Sequence, residues 1–136
     1  VKDRLAAFVK DDPSNKIARL KLAVTYESLN ELDNAEAQYK EVLVLDPTNT
    51  MALYNLGIIQ YRKALITLNK KDEVKPEERA TKGKELDDKY KKTLYESAKS
   101  FEEYRKIRPK DDQVKQVLTD IYKRLKRDDM IELLKK

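Results

Sequence analysis

Two prolines, Pro13 and Pro47, lie 34 positions apart in this chain, and each directly follows an aspartate. Between them, two stretches carry apolar residues at helical spacing and are joined by a few polar residues. A period of this length predicts a hairpin of two helices that recurs along the chain. Because one such hairpin cannot bury its apolar face alone, we expect successive hairpins to stack around a continuous core.

The composition indicates an all-α protein. Charged residues make up 40% of the 136 residues, and only two glycines and four prolines interrupt a sequence dominated by helix formers. A chain of this length supports one core, so we predict a single solenoid domain over residues 1–136.

The charge pattern favours a solvated, ion-paired surface. The net charge is +5, but basic and acidic residues are interleaved along the chain. A nucleic-acid-binding protein would concentrate its cations on one face or along one helix. We therefore predict that nucleic acid is not the partner.

The residue types also argue against catalysis. The chain has no histidine and no cysteine, which removes the commonest general base, the thiolate metal ligand and the most reactive nucleophile. Most acidic pairs fall at predicted helix ends, where carboxylates serve as caps. These pairs are Asp11-Asp12, Asp87-Asp88, Asp111-Asp112 and Asp128-Asp129. We predict a protein that is not an enzyme and that uses no cofactor and no metal.

The first complete unit is predicted over residues 14–47. Its first helix starts after Ser14 as N-cap, and its second helix starts near Asp33, which has the spacing of a capping box with Glu36. The chain begins inside a predicted helix, so residues 1–12 are expected to be the last helix of a preceding repeat.

The packing positions of this unit resemble those of the tetratricopeptide repeat family. The first helix carries Leu22, Ala23 and Tyr26 at the family's positions, and the second carries Ala35, Tyr39, Val42 and Pro47. Arg19 departs from the pattern, because the family usually has an aromatic residue there. Small residues at such positions let two helices approach closely. An unrelated helical hairpin is the alternative, but the proline period and Leu56-Gly57 in the next unit argue against it.

The second unit, residues 48–109, is longer than the family period by 28 residues, because its closing proline is Pro109. An insertion at about 64–90 would lengthen both helices by about four turns and form an extended hairpin arm, projecting about 20 Å. Its second helix is expected to start at Pro76 and to carry an apolar stripe through Ala80, Leu86, Tyr90 and Leu94. A disordered loop is the alternative. Residues 110–136 are predicted to form a partial terminal repeat.

The resemblance implies a concave groove lined by the first helix of each repeat, where family members bind partner peptides. The corresponding positions are Ile17, Leu20, Val24, Met51, Tyr54, Asn55, Ile58, Tyr61, Arg62, Gln113, Gln116, Asp120, Lys123 and Arg124. The first two units are apolar there, and exposed apolar surface of this extent indicates that something covers it. The cover is a partner segment, a neighbouring repeat or a second copy.

Some family members hold a chaperone's C-terminal carboxylate with a set of Lys, Asn and Arg residues. Of that set only Asn55 matches, since Leu20 and Val24 replace the first Lys and Asn, and Gln113 and Val117 replace the last Lys and Arg. This argues against a chaperone-tail clamp.

These observations predict a non-catalytic scaffold that binds a protein or peptide in the groove. A structural module that self-assembles through the groove or the arm is the alternative. Binding of an anionic polymer through Lys89, Lys91 and Lys92 is a further hypothesis.

Residues 48–136 also resemble the terminal part of Bacteroidetes tetratricopeptide proteins, which suggests a bacterial source. No apolar run approaches the about 18 residues of a membrane span, and no signal peptide is apparent. The compartment, cell envelope or cytoplasm, stays open.

Overall fold

The computed structural model describes residues 1–136 and contains seven α-helices. They are α1 Lys2–Asp11, α2 Lys16–Ser28, α3 Leu32–Leu45, α4 Thr50–Asp72, α5 Lys84–Ile107, α6 Asp112–Arg124 and α7 Asp128–Leu134. Each helix packs against the next one along the chain, as expected for stacked hairpins. The predicted all-α, tetratricopeptide-type helical-hairpin fold is confirmed.

Proline turns connect one hairpin to the next. Asn15 and Asn49 cap the helices that follow, because their side-chain oxygens accept hydrogen bonds from the backbone N–H groups of Ala18 at 2.9 Å and Ala52 at 3.0 Å. The prediction of Ser14 as the first cap was wrong. Its hydroxyl instead donates to Asp12 at 3.1 Å.

Within the first hairpin, α2 and α3 are joined by a tight turn. Asn30 adopts a left-handed conformation with φ of 59°, and the N–H of Glu31 donates to the carbonyl of Tyr26 at 2.8 Å. The capping box predicted from Asp33 and Glu36 was wrong, because α3 already begins at Leu32 and its N-cap Glu31 makes no side-chain cap. Glu36 accepts a hydrogen bond from Lys63 at 2.9 Å instead.

The second hairpin is longer than the first. Its helices α4 and α5 have 23 and 24 residues, against 13 and 14 in α2 and α3. Helical structure begins at Pro76 as predicted, with a 3₁₀ turn over Pro76–Glu78 and a π-helical turn over Arg79–Gly83 that lead into α5 at Lys84. The structure has turns and helices where the loop alternative placed disorder. Projection of this hairpin as a separate arm stays a prediction.

The long hairpin contributes to two separate cores. The first half of α4 packs with α2 and α3 through Ala52, Leu56 and Ile59. Its second half and α5 pack with α6 and α7 around a cluster that includes Phe101 and Leu118. Because α4 belongs to both clusters, it is the element that joins the two halves of the molecule.

The helices of the long hairpin approach most closely at Gly57. A methyl group at this position would lie 2.8 Å from the Phe101 ring, which is fully buried. The Ser97 hydroxyl donates to the carbonyl of Gly57 at 2.7 Å, and Ser100 donates to the side chain of Gln60 at 2.7 Å. Buried hydrogen bonds of this kind fix the relative position of two helices, because an unpaired buried polar group is unfavourable.

Candidate functional site

The exposed apolar part of the predicted groove lies on α2 and α4. Ile17 is 63% exposed, Met51 is 54% exposed and Val24 is 41% exposed, while Leu20 is half-buried beside them. Such exposure is high for large apolar side chains that lie close together.

A pocket of about 370 Å³ opens among these residues. It is lined by Val1, Leu5, Leu20, Lys21, Val24, Thr25 and Met51, of which five are apolar. Leu5 belongs to α1, so this helix contributes to a surface that sequence reasoning assigned to α2 and α4 alone. The signal that could have indicated this is the helical spacing of Leu5 and Val9, which places an apolar side of α1 against α2.

Tyr54 and Ile58 of α4 are half-buried and pack against the core of the long hairpin. The ring of Tyr54 meets Phe101 edge-on at 6.0 Å between centroids and lies 5.6 Å from Tyr104. Both predicted groove residues are therefore held by contacts with the core and are only partly exposed.

A chain of hydrogen bonds joins the first hairpin to α4 beside the apolar surface. The Asn55 amide donates to the Tyr39 hydroxyl at 3.2 Å, and this hydroxyl donates to Glu27 at 3.0 Å. Burial and the neighbouring Glu27 carboxylate raise the pKa of Tyr39, so the phenol stays protonated as a donor. Arg62 completes the connection by donating to Asn30 at 3.0 Å.

A second polar cluster joins α4 and α5 to α6. The Tyr61 hydroxyl donates to Asp120, and Arg124 donates to Asp120 at 3.0 Å and to the Tyr90 hydroxyl at 3.2 Å. Burial opposes ionisation of Asp120, but these hydrogen bonds outweigh it and hold its pKa below the ordinary value. Tyr61, Asp120 and Arg124 are thus bonded to one another, and the prediction that they contact a partner is untested.

The rest of the third unit presents a polar surface. Gln113, Gln116 and Lys123 are exposed on α6, and their side chains form no hydrogen bond within the chain. The predicted groove is therefore apolar at α2 and the start of α4, and polar at α6. Between these two parts, its polar side chains form hydrogen bonds within the chain.

The predicted apolar stripe of the long hairpin is not available at the surface. Tyr90 and Leu94 are 7% and 0% exposed because they pack inside the core of the long hairpin, while Ala80 lies exposed in the π-helical turn. In the basic cluster, Lys91 forms an ion pair with Asp87 at 2.9 Å. The burial of Tyr90 and Leu94 reduces the apolar surface available to a second copy, and the ion pair reduces the positive charge available to a polyanion.

No group of three or more carboxylates is arranged to hold a metal ion, and none of the helices has both the length and the apolarity needed to cross a membrane.

Comparison with known families gives a match over the middle of the chain. The family described as TPR repeat matches residues 25–63, which run from the end of α2 through α3 into α4. Residues 25–63 therefore resemble a tetratricopeptide repeat. No curated protein matches it.

Two crystal structures of the protein MamA are similar to this chain. Both are 21% identical in sequence, with TM-scores of 0.45 and 0.44. The matches cover 98% of this chain and 82% and 77% of the MamA chains.

Tetratricopeptide repeats are in general non-catalytic scaffolds for protein interaction or assembly, and residues 25–63 of this chain match that family.

Proposed function

We propose that this tetratricopeptide-repeat chain binds an apolar segment of a partner protein on the surface formed by Ile17, Leu20, Val24 and Met51. The observation that carries the proposal is the pocket of about 370 Å³, whose lining is mostly apolar although it is open to solvent. Apolar side chains of a partner would remove this surface from water, at about 25 cal/mol for each Å² buried.

Rigid neighbours support this surface. The bonds of Asn55 and Arg62 fix α4 relative to the first hairpin, so the position of Met51 opposite Leu20 and Val24 is set before binding. A surface that is formed in advance loses less conformational entropy when a partner binds.

Photo-crosslinking tests the proposal without requiring that the partner be known. A photoreactive phenylalanine derivative replaces Met51 in one variant and Val44 in a control variant, in cells that express the protein natively. Val44 is a suitable control because it is 74% exposed and lies on α3. The expected result is a covalent adduct with another protein at position 51 and none at position 44.

Substitution then checks whether the adduct depends on the apolar surface. Val24→Glu should abolish the adduct at position 51, because a buried unpaired carboxylate opposes binding, and Val44→Glu should leave it intact. An adduct that survives Val24→Glu, or no adduct at position 51, contradicts the proposal. Tyr54 is unsuitable for such a test because its ring packs on Phe101.

Self-assembly through the same apolar surface is the second candidate. It is favoured by the exposed apolar side chains of α2 and α4, which could pack against a second copy as well as against another protein. In the crosslinking experiment, an adduct formed only between two copies of this chain would support self-assembly in place of the first proposal.

A further inference from the structure

Three proline turns in the chain occupy equivalent places but differ in charge. Asp12, Asp46 and Arg108 are the C-caps of α1, α3 and α5, each followed by proline. In the first two turns the aspartate accepts hydrogen bonds from the turn itself, from Ser14 at 3.1 Å and from Thr48 at 3.3 Å. Arg108 carries the opposite charge and cannot accept such bonds.

A lysine and a carboxylate connect the first turn to the second. Lys16, the first residue of α2, extends its ammonium group to Asp46 at 3.1 Å. This ion pair connects the first proline turn to the second. At this position between two successive turns, the fold therefore places a carboxylate opposite a cation.

The same location between the second and third turns lacks this pair. Thr50, the first residue of α4, takes the place of Lys16, and Arg108 takes the place of Asp46. A surface pocket of about 720 Å³ lies there, and both residues line it. The other lining residues are Tyr104, Ile107, Pro109, Lys110 and Asp111.

The cations of this pocket have no anionic partner in the chain. Arg108 and Lys110 are exposed and take part in none of the ion pairs formed by the neighbouring helices. Asp111 lines the pocket, but its oxygens already accept hydrogen bonds from the Tyr104 hydroxyl at 2.7 Å and from two backbone N–H groups of α6.

We propose that this pocket, which we term the third-turn pocket, binds a carboxylate side chain of an acidic segment of the partner protein. Arg108 and Lys110 provide the charge, and a guanidinium group can bind both oxygens of one carboxylate. Thr50 precedes Met51, and Tyr104 packs against Tyr54, so the pocket adjoins the proposed apolar surface. The partner segment therefore combines apolar residues with at least one Asp or Glu. This inference rests on the proposed function.

The test converts the third turn into a copy of the second. Arg108→Asp with Lys110→Thr gives Asp-Pro-Thr-Asp, close to Asp46-Pro47-Thr48-Asn49, so the turn should keep its conformation and the protein its thermal stability. The probe is a labelled peptide of alternating Leu and Glu, compared with the same peptide carrying Gln in place of Glu. Fluorescence anisotropy at low salt measures both affinities.

The expected result is a loss of at least about tenfold in affinity for the Glu peptide, since charge-assisted hydrogen bonds are lost, and less than about twofold for the Gln peptide. The control variant, Lys82→Asp with Lys75→Thr at the tip of the long hairpin, has the same change in net charge. It should bind both peptides like the wild type. Equal loss in both variants would reveal general charge attraction and would overturn the inference, as would unchanged or absent binding of the Glu peptide.

A further variant separates this inference from the proposed function. Met51→Glu removes binding of both peptides if the apolar surface holds them. Met51→Glu could reduce the affinity for both peptides while the double variant of the third turn reduces neither affinity. That result would overturn the inference about the third-turn pocket and would leave the proposed apolar binding surface supported.

Discussion

At the scale of single residues, Gly57 is the position where the fold depends most directly on the absence of a side chain. A Cβ atom there would lie 2.8 to 2.9 Å from three atoms of the Phe101 ring, and the buried ring has no free space to move into. Gly57→Ala should therefore destabilise the protein by about 1–3 kcal/mol, although alanine favours helix formation. Denaturant unfolding measures the change.

Gly83 provides the matched control for this substitution. It has φ of −61°, and the nearest atom to an added Cβ lies 3.7 Å away. Gly83→Ala should leave stability unchanged or raise it by up to about 1 kcal/mol. If both alanine variants changed stability equally, contact with Phe101 would not explain the effect at Gly57.

Residues that depend on distant neighbours were not predicted from the sequence, and some that depend on close neighbours were also missed. Gln60 occupies a position where the family has tyrosine, and the sequence alone gave no reason for it. The structure shows that Ser100, 40 positions away, donates to its side chain. Likewise, Asn15 and not Ser14 caps α2, because Ser14 is already bonded to Asp12. Two adjacent candidate caps cannot be ranked without that geometry.

At the scale of elements, hydrogen bonds to Asp120 add to the apolar packing that attaches α6 to α4 and α5. The pKa of Asp120 lies below the ordinary value because Tyr61 and Arg124 donate to the carboxylate, which outweighs the opposing effect of burial. A lowered pKa in the folded state means that this group stabilises the fold at neutral pH. The contribution is lost as the pH falls from about 4 through the folded-state pKa.

Asp120→Asn should therefore weaken the attachment of α6 at pH 7 and have little effect at an acidic pH below the folded-state pKa, where the wild-type carboxylate is protonated. Because Asp120 is partly exposed, we expect a modest change. Hydrogen exchange of the α6 amides, measured at both pH values, checks this. Asp128→Asn is the control, since this exposed side chain forms no ion pair, and it should leave α6 protection unchanged at both pH values. If the difference in α6 hydrogen exchange between wild type and Asp120→Asn were equally large at low pH, the ionised Asp120 carboxylate would not be the cause.

The helices themselves were more predictable than their exact ends. Proline turns, helical spacing and the length of the second unit indicated the order of the elements, because each is a local property of the chain. Pro76 and the acids after it correctly indicated where helical structure begins, but they did not indicate that the first turns are 3₁₀ and π-helical before α5 starts at Lys84. Of the predicted groove, the exposure of Ile17, Val24 and Met51 was expected from the resemblance to the family. The bonds among Tyr61, Asp120 and Arg124 depend on how α6 packs, which spacing does not determine.

At the scale of the whole molecule, stability is distributed along the stack and not concentrated in one centre. Each helix packs mainly on its neighbours in sequence, and the buried residues form one cluster around α3, another around α5 and α6, and a small third one between α1 and α2. In such an arrangement, the free energy of unfolding is a sum of terms from each unit and each interface between neighbours. Damage to one cluster should therefore open that part of the molecule first.

Two truncations of buried residues test this distribution. Leu118→Ala, at a fully buried position in the α5–α6 cluster, should cost about 2–5 kcal/mol and speed hydrogen exchange in α6 and α7 more than in α2 and α3. Val42→Ala, equally buried in the α3 cluster, should produce the reverse pattern. If either variant raised exchange uniformly from α1 to α7, the molecule would unfold as one cooperative unit. The shared helix α4 would then couple the two clusters more strongly than nearest-neighbour stacking implies.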